Sequence, residues 1–241
     1  MKMKTLSLIG KKYIDTILKV NNIKPGETNS CFSAIETLGG VRNFLEAELE
    51  GWRIDFLETG TKRAYIISDR KLSQRTSYVM DLLPASISAD TVKNINNKSD
   101  WLHVCYIDDM ECYEEIENVN IKYSLDFCTD TPRGPFSDAI NNAEVVFDSM
   151  ERKHLYESNG FFTPIILHNE RGIEVLINSE VVFSESMQPL NDLDVNGAGD
   201  IFAAKFIEKY NKFSLNATAK TAMLETTEIL RKRKKRNEQK I

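Results

Sequence analysis

Short apolar runs alternate with polar stretches of helix length along most of the 241 residues. "TLSLIG", "WLHVCYI", "KYSLDF", "AEVVF", "TPIILHN" and "IEVLINSEVV" have strand length and near-continuous apolarity. That pattern marks strands buried on both faces, as in a parallel sheet. Between them "SADTVKNINNK", "SDAINNA" and "DSMERKHLYESN" read as helices. The rhythm predicts βαβ units: an α/β chain with a mostly parallel sheet between two helical layers. Positions 61–80 break it. There "TKRAYIISD" and "QRTSYVMD", joined by the polar "RKLS", read as a hairpin with one polar face, a small β appendage on the core. The last forty residues read as two helices, "GDIFAAKFIEKY" and "SLNATAKTAMLETTEILRKRKKR", with Ser214 as N-cap of the second.

A hydrophobic content of 41% against 28% charged residues is enough to fill one globular core. No apolar run approaches the ~20 residues that span a bilayer. The start, "MKMKTLSLIG", lacks a signal-type apolar region and reads as a first strand. The four cysteines, Cys31, Cys105, Cys112 and Cys128, show no metal or redox spacing, so reduced thiols and a cytoplasmic setting are expected. His103, His154 and His168 have no ligand-like neighbours at short spacing, and Trp52 and Trp101 read as packing residues. Net charge is −5, yet residues 231–241 hold seven Lys/Arg and one Glu, which leaves −11 on the rest. The basic run reads as the solvated end of the last helix, where cations suit the dipole. An acidic body repels nucleic acid, so neither nucleic acid nor membrane is expected as a partner.

One stretch carries chemistry. In "DVNGAGDIFAAKFI", consecutive small residues let the backbone turn sharply and aim several N–H groups at one point, just where a helix begins. Asn196, Gly197, Ala198 and Gly199 therefore make an anion cradle. Asp200 beside it is odd, because a carboxylate repels the phosphate such a cradle attracts. Two readings stay open on the residues alone. Asp200 either caps the helix, or accepts the proton of a hydroxyl attacking a phosphoryl group held by the amides.

The same stretch resembles the DTxGAGD signature of the ribokinase-like (PfkB) family of carbohydrate and nucleoside kinases. Other segments match that family in order. "LSLIGKKYIDTILKV" resembles its first strand, "TLGGVRNFLEA" its GGxxxN motif, and "TKRAYIISDRKLSQRTSYV" its lid strands. The resemblance implies a Rossmann-like three-layer α/β/α fold over residues 1–241, with a small β lid from about 16–34 and 58–82. It implies that Asp200 is the base and that the amides of Gly197, Ala198 and Gly199 steady the transferring group. Asp15, Gly39, Gly40 and Asn43 fall at the acceptor, and lid residues Arg75, Thr76 and Tyr78 shape its pocket. Asn196, Asp194, Gly172 and Ser149 fall on the nucleotide side, and Glu151 at the metal. ATP and Mg²⁺ are the implied cofactors, and a sugar or sugar-like molecule the implied partner.

The sequence departs from the family in four places. The threonine after Asp194 is Val195. The NxxE motif reads "DSMER", with Ser149 at the Asn position, Arg152 at the Glu position and Glu151 one residue away; Asp148 or Glu151 is then left for the metal. The TxGxxG segment reads "LHNERG", keeping only Gly172 and leaving His168 as a turn residue or a nucleotide contact. Finally, a strand and about one helix are missing between "GGVRNFLEAELE" and "GWRIDFLETG", which predicts an exposed sheet edge covered by a partner subunit or a shifted lid. An ATP-dependent kinase of a small sugar-like alcohol is the leading expectation, as a homodimer through the lid or that edge. A relative that binds sugar or nucleotide without turnover is the alternative. A dinucleotide-binding oxidoreductase is set aside, because "IGKKYID" offers one glycine where GxGxxG is required.

Overall fold

Ten strands and seven α-helices make up the described parts of the computed structural model, which are residues 3–24, 26–69, 74–80, 87–107, 113–127, 136–188, 195–210 and 212–238. In chain order they are β1 (Lys4–Val20), β2 (Cys31–Gly40), α1 (Val41–Glu46), β3 (Trp52–Asp69), β4 (Gln74–Val79), α2 (Ala89–Lys98), β5 (Trp101–Val104), α3 (Tyr113–Ile116) and β6 (Lys122–Asp126). Then come α4 (Phe136–Asn142), β7 (Val145–Ser149), a 3₁₀ turn at Met150–Arg152, α5 (His154–Glu157), β8 (Ile165–Asn169), β9 (Gly172–Ile177), β10 (Glu180–Ser186), α6 (Ala198–Lys209) and α7 (Leu215–Glu238). The sheet runs β10-β9-β8-β7-β6-β5-β1-β3-β4, with β2 also on β1. From β8 to β3 every neighbouring pair is parallel, as the apolar runs require.

Each core strand splits its side chains between two layers because successive residues point to opposite faces. Val145 and Phe147 join α1, α6 and α7 on one side, while Val146 joins α2 and α4 on the other. Phe147 is fully buried and meets Phe206 edge-on at 5.3 Å. Beside it His103 stacks on Phe44, 4.8 Å away, and burial pushes its pKa down to about 3, so the ring is neutral. The Trp101 indole donates to Ser124 Oγ, which is also hydrogen-bonded to His103 Nδ1 at 2.9 Å. Local caps also match the sequence: Ser88 Oγ accepts from Thr91 N–H, and Ser214 Oγ from Ala217 N–H.

Three features differ from expectation and a fourth agrees with it. The run "IEVLINSEVV" is two antiparallel strands, because Asn178 and Ser179 both take positive φ and reverse the chain. "DSMERKHLYESN" is a 3₁₀ turn and a one-turn helix, since Arg152 turns inward. The first strand does not end at the core: β1 and β3 run on, and residues 12–20 of β1 pair with β2 on the side that β5 leaves. With β4 on the far side of β3, these strands form an overhang beyond the core sheet. Lastly, β3 follows α1 directly and pairs with β1. Among the described residues, no strand pairs the second edge of β3 from Trp52 to Lys62, which is the edge expected from the missing segment.

Cys31 is exposed and Cys105 buried, while Cys112 and Cys128 lie outside the described residues. Among the described residues, no helix is long and apolar enough to cross a membrane. Because Phe147 fills the junction of sheet and α6, Phe147→Ala is expected to lower unfolding free energy by about 3–5 kcal/mol in a urea titration, the usual cost of a large core cavity.

Candidate active site

α6 begins at the glycine turn. Gly197 sits in the left-handed region (φ 72°, ψ 15°) as the N-cap, without a side-chain cap, so Asp200 is the third helical residue and not the cap. A side chain at Gly197 is excluded twice over, by its φ and because a Cβ would lie 2.1 Å from Asn43 Cγ. Ala198 N–H donates to the Val195 carbonyl at 3.1 Å and is thereby spent inside the turn. The amides of Gly197 and Gly199 meet no acceptor among the described residues. Amides left open at the positive end of a helix are the kind of group an anion binds, as expected of this turn.

Asp200 is 2% exposed and held from two sides. Asn43 Nδ2, on α1, donates to its Oδ2 at 2.9 Å, and the Tyr106 hydroxyl donates to its Oδ1 at 2.6 Å. Burial pushes the carboxyl up to about 7, against the lowering effect of those two hydrogen bonds; Asp15 adds to the rise and Arg233 opposes it. Tyr106 follows β5 with φ of 60°, a costly conformation for an aromatic residue, held where its hydroxyl meets the carboxylate. Sequence reading missed Tyr106. "WLHVCYI" read as one strand, and only the turn at its end creates the contact.

The residues expected at the acceptor gather at the same place, joined by Asn196, which was expected on the nucleotide side. Asn196 Nδ2 donates to Asp15 Oδ2 at 2.8 Å, tying the overhang part of β1 to the glycine turn. Gly39 lies opposite Tyr13 in the β1–β2 ladder, and a Cβ there would sit 2.3 Å from Asp15 Oδ2. Gly40 closes the turn into α1, with the Lys11 carbonyl 2.6 Å from where its Cβ would be. Asp15, Asn43, Asn196 and Asp200 are all buried and largely satisfy one another. Along the overhang, register puts Asp15, Thr37, Ala64 and Val79 in one row across four strands. Tyr78 and Thr76, expected to shape the pocket, lie on the opposite face, because each is an odd number of residues from Val79. The side chain of Arg75 lies outside the described residues.

On the other flank of the glycine turn lie the C-terminal ends of β7 and β8. The His168 ring packs on Gly199, whose Cβ would be 2.7 Å from His168 Cε1, and tilts against Phe202. Burial drives its pKa down to about 4, and its Nε2 is shut away without a partner, so it is not the exposed turn residue expected. Ser149 Oγ donates to Glu151, and Asn169 Nδ2 donates to Glu151 Oε1 at 3.2 Å. Burial pushes the Glu151 carboxyl up, but these hydrogen bonds outweigh it and hold it low. Asp148 is committed elsewhere, ion-paired with Arg152 and bonded by the Tyr156 hydroxyl. That pairing takes Asp148 out of the metal role considered for it. Gly172 is buried against the Glu185 backbone of β10, a packing reason for its glycine. Asp194 lies outside the described residues.

No family model and no curated protein matches this chain. Solved structures do. A ribokinase from Thermotoga maritima superposes with a TM-score of 0.64 at 15% identity, covering 94% of this chain and 92% of that one. A ribokinase from Cryptococcus neoformans var. grubii serotype A, solved in complex with ADP, gives 0.67 at 15%, covering 91% of each. A nucleoside kinase of Methanocaldococcus jannaschii, an archaeal member of the ribokinase family, gives 0.64 at 16%, covering 96% and 99%. The chain thus has the ribokinase-like α/β fold; identities this low carry the fold alone.

A buried carboxyl whose folded pKa exceeds its usual value binds its proton more tightly in the folded state. Its ionisation therefore costs stability as pH rises from 3.8 to about 7. Asp200→Asn removes that titration. The variant's melting temperature, relative to the unaltered protein, is expected to climb between about pH 4 and about pH 7 and then level off, and a pH-independent difference would contradict the buried-acid assignment.

Proposed function

We propose that the protein is an ATP-dependent phosphotransferase acting on a hydroxyl of a small sugar or sugar-like molecule. The observation that carries this reading is Asp200, a buried carboxyl near neutrality, placed directly beside two amides that meet no acceptor among the described residues and in the same cluster as Asp15. A base with a pKa near ambient pH is the most effective one. The acceptor hydroxyl gives its proton to Asp200 as its oxygen bonds the γ-phosphorus. The bond to the β-phosphate oxygen breaks, and ADP leaves with that electron pair. The amides of Gly197 and Gly199, with the start of α6, stabilise charge on the moving group.

Asp15 and the Gly39–Gly40 turn face the acceptor, and Asn43 orients the base while reaching the same space. Asn196, Ser149, Gly172 and Asp194 belong to the nucleotide side. For Mg²⁺ the donor chemistry fits at one carboxylate, Glu151, with water and phosphate oxygens completing the shell. Among the described residues, no three His, Cys, Asp or Glu side chains form a cage. Residues 1–241 act as one unit whose overhang, about 16–34 and 58–82, is a lid over the acceptor. Its outer face exposes Leu38, Tyr65, Tyr78 and Met80, and among the described residues no strand pairs the outer edge of β3 from Trp52 to Lys62, so a second copy of the chain is the proposed cover. Sedimentation at high concentration is expected to find dimers, and a strict monomer removes this part of the proposal. Reduced cysteines go with a cytoplasmic setting.

A non-catalytic binder is the second reading, favoured by one observation: Arg152 ties up Asp148 where the nucleotide motif has changed. Thermal-shift titrations with MgATP and a panel of monosaccharides and nucleosides, followed by ADP-release assays, separate the two. ADP release that requires one acceptor and disappears in Asp200→Asn supports the kinase, with an acid limb in kcat/KM near pH 7 as Asp200 ionises. Stabilisation by sugar without turnover supports the binder. Full turnover by Asp200→Asn refutes the assignment of the base.

A further inference from the structure

The basic end of α7 is not simply solvated. Arg233 folds back, 15% exposed, and its Nη1 donates to the carbonyl oxygen of Asn196 at 2.6 Å. Its Nη2 and Nε grip the Glu46 carboxylate, the closer contact being 2.6 Å. Arg236 adds a more exposed contact to the same carboxylate at 3.1 Å. Glu46 is the last residue of α1, the helix that carries Asn43, and Asn196 opens the turn into α6, which carries Asp200. One guanidinium therefore ties together the two helices whose side chains meet in the Asn43–Asp200 bond.

We infer that Arg233 is a positioning residue: by pinning the Asn196 carbonyl to α1 through Glu46, it fixes the orientation of the glycine-turn amides on which phosphoryl transfer depends. The carbonyl and N–H of a trans peptide point in opposite directions. Anchoring Asn196 O on one side therefore aims Gly197 N–H the other way, away from Arg233. Gly197 needs this, because its left-handed conformation lacks a side-chain cap and its neighbour Ala198 bonds only locally. A forked guanidinium suits the task better than an ammonium, since it holds a carboxylate and a carbonyl at fixed angles at once. The inference rests on the reading of the turn as an anion cradle, and it has a consequence that does not.

Hydrogen–deuterium exchange of the ligand-free protein reads that consequence. Arg233→Ala is expected to speed exchange of the two bonded amides of the turn, Ala198 and Ile201, about tenfold or more, with β5 to β7 unchanged. In turnover, Arg233→Ala is expected to lower kcat about ten- to a hundredfold, with acceptor KM within about threefold. Charge and geometry separate in the pH profile. Asp200 is faced by Asp15, Tyr106 and Arg233, so Arg233→Ala moves the acid limb upward. Arg233→Lys keeps the limb in place, yet loses kcat because the fork is gone. Glu46→Gln, which leaves all cations intact, gives a smaller loss of the same kind. Should Arg233→Ala fail to fold by circular dichroism, Arg233→Lys and Glu46→Gln decide the matter. Unchanged exchange at the turn, or wild-type kcat in Arg233→Ala, overturns the inference. Altered exchange in a protein that phosphorylates no acceptor leaves the clamp standing and defeats the kinase reading instead.

Discussion

Keeping a carboxylate out of water beside a helix start is the constraint around which this molecule is arranged. An isolated buried charge is expensive, and Asp200 is tolerated only because donors meet both of its oxygens. Each donor imposes a demand further out. Asn43 must sit in the first turn of α1, which needs the Gly39–Gly40 turn to bring β2 into that helix. Tyr106 must leave β5 in a left-handed conformation. The turn before α6 must present no side chain at Gly197, or Asn43 is displaced. Remove the carboxylate and none of these unusual conformations has a reason.

Local physics was legible in the sequence, and assembly was not. Parallel strands, the glycine turn and the cap at Ser214 followed from patterns within a few residues, while the grouping of Asp15, Gly39, Gly40, Asn43 and Asp200 followed from the family resemblance. Tyr106 and Arg233 did not, because their roles arise between residues 94 and 187 positions from their partners. In the sequence, Arg233 is one of six consecutive cations. Only the pitch of α7 decides which of them faces inward. The β9–β10 reversal was hidden for a different reason: Asn178-Ser179 performs a turn that Asn-Gly would have announced.

The two flanks of the turn have different characters. Toward Asp15 the polar side chains bond one another and are held by α1, α6 and the overhang. Toward β7 and β8 the polar groups are shared between structure and surface. Asp148 is consumed by Arg152 and Tyr156, while Glu151 keeps company with Ser149 and Asn169. Two of the four departures from the signature that the sequence resembles, "DSMER" and "LHNERG", fall on this second flank. There the strand ends have been rebuilt around Arg152, which also donates to the Phe127 carbonyl at 2.7 Å.

The overhang has a mechanical property that follows from its construction. β1 and β3 are unbroken strands of 17 and 18 residues, paired in parallel from the core floor to the far tip. No loop intervenes to serve as a pivot. Their ladder is interrupted once, where β3 places Thr59 and Gly60 against Lys11 alone, and Gly60 takes a φ of 138°. Displacement of the tip must therefore flex two coupled beams at that notch. A sheet loaded in this way stores the work of deflection and gives it back, like a sprung tongue that returns to its rest position when whatever lifted it departs.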